Sequence, residues 1–158
     1  MKKIFTFLFS IFLFSSFNCY YAFSIEPDVF VQSTVNRAAE TLGGSYTKKE
    51  RIEKLKNIAK ETVDIDGISF YSLGAYRKNL SDDQLKRYKI VFRNYFLKSF
   101  ASRLAEYTNP EIEVNSKKKI NNNYTIVSST LLGTDTRPEI KIDWRVYTKD
   151  PKNLLIRD

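Results

Sequence analysis

The 158 residues contain no histidine and a single cysteine, and their five glycines and four prolines are thinly spread. Without histidine, the Ser-His and Cys-His nucleophile pairs and the common zinc ligand sets are excluded. The glycines stand singly or at Gly43-Gly44, so there is no glycine-rich phosphate loop. The one cysteine, Cys19, lies within the first 24 residues, which leaves the rest of the chain with neither disulfide nor thiol chemistry. A domain exported without disulfides is held by its core alone, which is feasible at this length.

Long hydrophobic runs are also scarce. The one present follows Lys2 and Lys3, extends from Ile4 to Phe17 and leads to Ala22-Phe23-Ser24. A basic start, a short apolar core and small residues at minus three and minus one describe a signal peptide over residues 1–24, cleaved after Ser24. The core is shorter than the roughly 20 residues of a spanning helix, and no charged stop-transfer flank follows it, which disfavours an uncleaved anchor. Lipidation at Cys19 is disfavoured by the bulky Phe17 and Asn18 before it. Lys2 and Lys3 go with the leader, so of 26 basic residues 24 remain against 18 acidic ones, an excess of six in a single domain spanning 25–158. That balance favours anionic surfaces, such as lipid headgroups or an acidic partner face, and export disfavours nucleic acid.

Apolar residues at spacings of three and four from Asp28 to Leu42 predict a first helix, with Asp28 as N-cap and Gly43 beyond its end. Thr47 to Glu50 is a capping box opening a second helix along Ile52, Leu55, Ile58 and Ala59. Asp64-Ile65-Asp66 starts a short third helix to about Ala75. Ser81 to Gln84 repeats the capping box for a long fourth helix to about Tyr107, stopped by Asn109-Pro110. Beyond Pro110 the pattern alternates with period two, over Tyr124 to Leu132 and Ile140 to Val146, between turns at 121–123, 133–138 and 150–153. Helices followed by an antiparallel meander imply an α+β fold, with the helices covering one sheet face.

Among the candidates for chemistry, Asp64 with Asp66 is the obvious carboxylate pair, but Asp at a helix start reads as a cap before it reads as an acid or base. Asp82 and Asp83 read the same way. Nine of the fourteen aromatic residues after the leader fall between Phe70 and Tyr107. On the long helix, Ile90, Val91, Tyr95 and Leu97 widen the Leu85, Tyr88, Phe92, Phe96 and Phe100 stripe beyond what a surface helix needs. An ordinary core is the plain reading; the surplus argues for a cavity, a partner or a covering element. Lys117-Lys118-Lys119 is a charge run, read as a solvated turn before the sheet or a contact to a headgroup or partner.

Taken in order, K-E-R-I-E-K-L-K-N-I at Lys49 to Ile58, Asp64-Ile65-Asp66, Leu73-Gly74-Ala75-Tyr76-Arg77, Leu80 to Gln84, Phe92-Arg93-Asn94-Tyr95-Phe96 with Tyr107, and Ile142-Asp143-Trp144-Arg145-Val146 make a set. This set resembles the MlaC family of periplasmic phospholipid-binding proteins, the toluene-tolerance auxiliary components of an ABC transport system for outer-membrane lipids. The resemblance runs from about Asp28 to the C-terminus. It implies an NTF2-like or cystatin-like arrangement with a dry lipid pocket between helices and sheet, and no catalysis or cofactor. The implied carrier is a monomer in the periplasm, moving a phospholipid between an inner-membrane transporter with MCE domains and an outer-membrane lipoprotein complex.

The residues expected to line that pocket are Ile68, Leu73, Tyr76, Phe92, Tyr95, Phe96 and Phe100 from the helices and Val127, Leu131, Ile142, Trp144 and Val146 from the sheet. Arg77 is expected either at the headgroup phosphate or in a salt bridge. Family members continue past the segment Leu154 to Asp158 into further strand and helix, so the chain is expected to be either truncated at its C-terminus or a short variant with a more open pocket. Two readings from other classes remain. One is an exported interaction module of the envelope that binds no lipid; the other is a small α+β enzyme relying on Asp, Tyr and Lys alone, which replacing Asp64, Asp66 and Tyr76 in turn would test.

Overall fold

The computed structural model describes residues 24–158, so the expected leader, with Cys19, lies outside the described residues apart from Ser24. Among the described residues four α-helices precede a four-stranded antiparallel meander of order β1-β2-β3-β4, which is the expected α+β architecture. Among the described residues no helix is long and apolar enough to cross a membrane.

Helix α1 (Pro27–Gly43) has Glu26 rather than Asp28 at its N-cap position, with no side-chain capping bond, and Pro27 occupies its first turn. Proline suits that position because its fixed φ is already helical and its missing N–H would have had no partner there. Asp28 becomes a first-turn carboxylate instead, 2.8 Å from the Lys117 ammonium. Helix α2 (Lys48–Thr62) starts at the Thr47 and Glu50 capping box, with both reciprocal bonds formed. Helix α3 (Ile65–Ser72) is capped by Asp64, whose carboxylate accepts the Gly67 N–H at 2.8 Å. It stops at Ser72, short of the expected Ala75, because Gly74 takes φ +52, a left-handed conformation, and the chain continues as a 3-10 turn over Gly74–Asn79. Helix α4 (Asp82–Leu104) carries the second capping box, Ser81 with Gln84. It ends before the expected Tyr107, with Asn109 at φ 44 turning the chain into the sheet.

The strands are β1 (Ile112–Asn121), β2 (Tyr124–Leu131), β3 (Ile140–Tyr147) and β4 (Leu155–Ile156). The lysine run lies inside β1 and is not a turn before the sheet. On β2 the burial alternates strictly: Thr125, Val127, Ser129 and Leu131 are buried, and Tyr124, Ile126, Ser128 and Thr130 are half-buried. The buried face lies under α1, where Val31 and Val35 meet Val127, Val146 and Leu154, with Phe30, Ile112, Val114 and Trp144 around them. The Trp144 indole N–H donates to the Ser129 hydroxyl at 2.8 Å, which satisfies a polar group that this face would otherwise strand.

Helix α4 packs mainly on α2 and α3, beside the sheet. Leu42, Leu55, Ala101 and Ala105 form one cluster there, and Ala59, Ile65 and Leu97 another. The two halves are joined at the β4 edge, where Val63 bridges Ile156 in parallel and the Asp64 N–H donates to the Ile156 carbonyl at 2.8 Å. Helix α3 therefore starts from the sheet edge. The Ser72 hydroxyl, 2.9 Å from the Tyr88 hydroxyl, ties its far end to α4.

The ion pairs fix how stability responds to pH. The hydrogen bond from the Lys117 ammonium holds the Asp28 carboxyl below its ordinary pKa, and Glu50, Glu53 and Glu106 are lowered by Thr47, Lys56 and Lys48 respectively. A depressed carboxyl pKa contributes stability above the unfolded value, about 4, and loses it as pH falls through the folded value. Lys117 is raised by Asp28 and then Glu26, so its contribution holds below the unfolded value, about 10.4, and is lost only as pH rises through the folded one. With no histidine to titrate between these limits, the melting temperature should stay flat from about pH 5.5 to about 9 and fall below about 4. Circular dichroism melts across that range check it; a clear loss between pH 7 and 5.5 would contradict it.

Candidate functional site

The face of the sheet turned away from α1 is only partly covered, and helix α3 stands opposite its apolar end. Between them runs a groove of about 640 Å³, within the range of small-molecule sites, roughly 300–1,000 Å³. One wall is Ile68, Tyr71 and Ser72, which share a helix face through spacings of three and four. The other is Tyr124 and Ile126 of β2, with Ile120 and Asn121 at the end of β1 and Arg145 of β3. Ile120 reaches the groove because the β1–β2 register shifts between Lys119 and Asn121, leaving it as the extra residue of a bulge. Arg157 and Asp158 close one side. The apolar lining is open to solvent, with Ile120 52% and Tyr71 63% exposed.

The two walls are pinned together by Arg157. Its guanidinium donates to the Asp64 carboxylate through Nε, at 2.7 Å, and Nη2, and to the Tyr124 hydroxyl through Nη1 at 2.6 Å. It also stacks 4.1 Å over the Tyr147 ring. Burial pulls its pKa down, but the Asp64 carboxylate and the Tyr124 hydroxyl outweigh that, so the net displacement is upward. Asp64 thus holds the helix α3 N-terminus with one oxygen and the end of the sheet with the other. Gly67 is required where these meet, because a Cβ there would stand 2.3 Å from Asp64 Oδ2. Asp66 is engaged by Arg93 at 2.6 Å. Both carboxylates singled out in the sequence are therefore committed to structural contacts.

Of the residues expected at a lipid, Ile68 lines this groove. Val127, Leu131 and Val146 are buried on the opposite sheet face, the one under α1, with Trp144 packed beside them, and Ile142, on that same face, half-buried. Phe92, Phe96 and Phe100 stack in a row along α4, with centroids 6.2 and 5.4 Å apart, against the cluster of Ala59, Ile65 and Leu97. Tyr76 and Tyr95 are 78% and 68% exposed, and Leu73 is half-buried at the end of α3. Arg77 lies with its guanidinium 4.9 Å from the Phe70 ring centroid. The other lining residues were not picked from the sequence, among them Tyr71, Ile120, Tyr124, Ile126, Arg145 and Arg157. The apolar character of both faces of β2 was a local signal for Tyr124 and Ile126 only.

No curated protein matches the chain. Among solved structures it is similar to the phospholipid-binding protein from Ralstonia solanacearum, determined in complex with a phospholipid at 1.53 Å. The TM-score is 0.68 at 16% identity, over 85% of this chain and 76% of that one, so the two share a fold. The family model described as "MlaC protein" matches residues 31–158, and the chain belongs to that family.

Proposed function

We propose that this protein is a periplasmic phospholipid carrier, without catalytic activity, whose ligand lies in the groove between α3 and the sheet. The groove carries the reading: an apolar trough of about 640 Å³, open along one side and bordered by arginines, on a fold shared with a protein solved in complex with a phospholipid. Each methylene withdrawn from water contributes about 0.8 kcal/mol, so ten of them give on the order of 8 kcal/mol before ordering costs. A trough can supply this without a reactive group. Export by the leader and family membership support a route between an inner-membrane transporter with MCE domains and an outer-membrane lipoprotein complex, with the carrier acting as a monomer.

The test is mass spectrometry of an organic extract from the folded protein, purified without detergent. About one phospholipid per chain is expected. A folded preparation with no lipid would overturn the reading in favour of an envelope interaction module.

A further inference from the structure

On the groove face, Lys118, Ile126 and Arg145 form one row across three strands, because Lys118 pairs with Ile126 and Ile126 with Arg145. Paired side chains point to the same face, and neighbouring strands are about 4.8 Å apart, so two long basic side chains flank one apolar residue. Lys117 points the other way, to Glu26 and Asp28 at the start of α1.

Both flanking cations are loosely engaged. Lys118 makes no ion pair among the described residues, whereas every ion pair but one closes to 2.8 Å or less. The exception is Arg145, which stands 3.5 Å from the Asp158 carboxylate with its side chain 48% exposed. Arg157, by contrast, donates from all three of its nitrogens, to Asp64 and to Tyr124. Asp143, an acid on the same sheet face, accepts from the Ser128 hydroxyl at 2.6 Å.

We infer that Lys118 and Arg145 seat the phosphate of the bound lipid, with an acyl chain running over Ile126 towards Ile120 and Ile68. The inference rests on the carrier reading and adds a headgroup preference to it. A phosphodiester at Arg145 takes the place of the Asp158 carboxylate and gains charge-assisted hydrogen bonds. Two cations facing one phosphate leave a positive excess, which repels the ammonium of a zwitterionic headgroup and favours a lipid of net negative charge.

The experiment loads delipidated protein from vesicles of phosphatidylethanolamine and phosphatidylglycerol at three to one and measures the ratio of the two lipids bound. Wild type should enrich phosphatidylglycerol over the vesicle composition, and Arg145→Gln and Lys118→Gln should each reduce that enrichment, about fivefold together, as expected for half-exposed charge contacts. Both positions are solvent-facing, and near-ultraviolet circular dichroism of Trp144 verifies folding. An unchanged lipid ratio in the double variant would overturn the inference and leave the carrier reading intact; wild type that loads no lipid would overturn the carrier reading itself. Calorimetric titration of the delipidated protein with inorganic phosphate separates a lipid headgroup from a free anion. Millimolar or weaker binding is expected, and micromolar binding that is lost in Arg145→Gln would reassign the row to a soluble phosphate ligand.

Discussion

Replacing Asp64 with alanine should destabilise the protein by about 3 kcal/mol, the largest loss expected from any single polar truncation outside the core. Two effects add. Removing the N-cap of α3 costs about 1 kcal/mol, and taking the carboxylate from a buried ion pair costs about 3–5 kcal/mol where the remaining charge is fully enclosed. Here the side chains of Arg157 and Asp64 are 21% and 14% exposed, and Tyr124 still accepts from the guanidinium, so the second effect is reduced. Asp64→Asn keeps an oxygen for the Gly67 N–H and loses only the charge, so it should cost about half as much. Guanidinium unfolding of the two variants checks the order. An Asp64→Ala protein within about 0.5 kcal/mol of wild type would show that Arg157 does not hold α3 to the sheet.

The second large effect sets two neighbouring residues against each other. Ile126 faces the groove and Val127, fully buried, faces α1. Ile126→Asp should leave the protein folded but lower lipid retention at least tenfold, since an apolar contact worth about 1.5–3 kcal/mol is replaced by a carboxylate against the acyl chain. Val127→Asp places that carboxylate among Val31, Val35 and Val146 with no partner, and should cost more than about 4 kcal/mol, enough to abolish folding. Circular dichroism and extracted lipid measured on both variants separate the outcomes. If Val127→Asp folds and Ile126→Asp retains its lipid, the two faces have been assigned the wrong way round.

The helix starts at Thr47, Asp64 and Ser81 were legible in the sequence, because each cap is a bond between residues three apart. The start of α1 was displaced by two residues, since Asp28 is a good cap by type but Pro27 already claims the first helical turn. Strand β1 was hidden by Lys117-Lys118-Lys119, whose charges read as a turn; in the sheet, Lys117 is neutralised by α1 and Lys118 stands on the solvated face. The groove was not legible for a deeper reason. Period-two alternation shows that β2 has two faces, both with apolar residues, but which face α1 covers is a tertiary choice with no local sign. Arg157 and Asp64 are separated by 93 positions, and nothing near either residue announces the other. The aromatic concentration on α4 was plain, yet three of its rings find their partners in one another and in α2 and α3, which spacing along a single helix cannot specify.

The most direct test of where the lipid lies is photo-crosslinking with a phospholipid carrying a diazirine in its acyl chain, followed by peptide mapping. Adducts should fall on the α3 segment from Ile68 to Ser72 and on Ile120 to Ile126. Adducts confined to α1 around Val31 and Val35, or to the strand around Trp144, would place the chain on the opposite sheet face and contradict the groove.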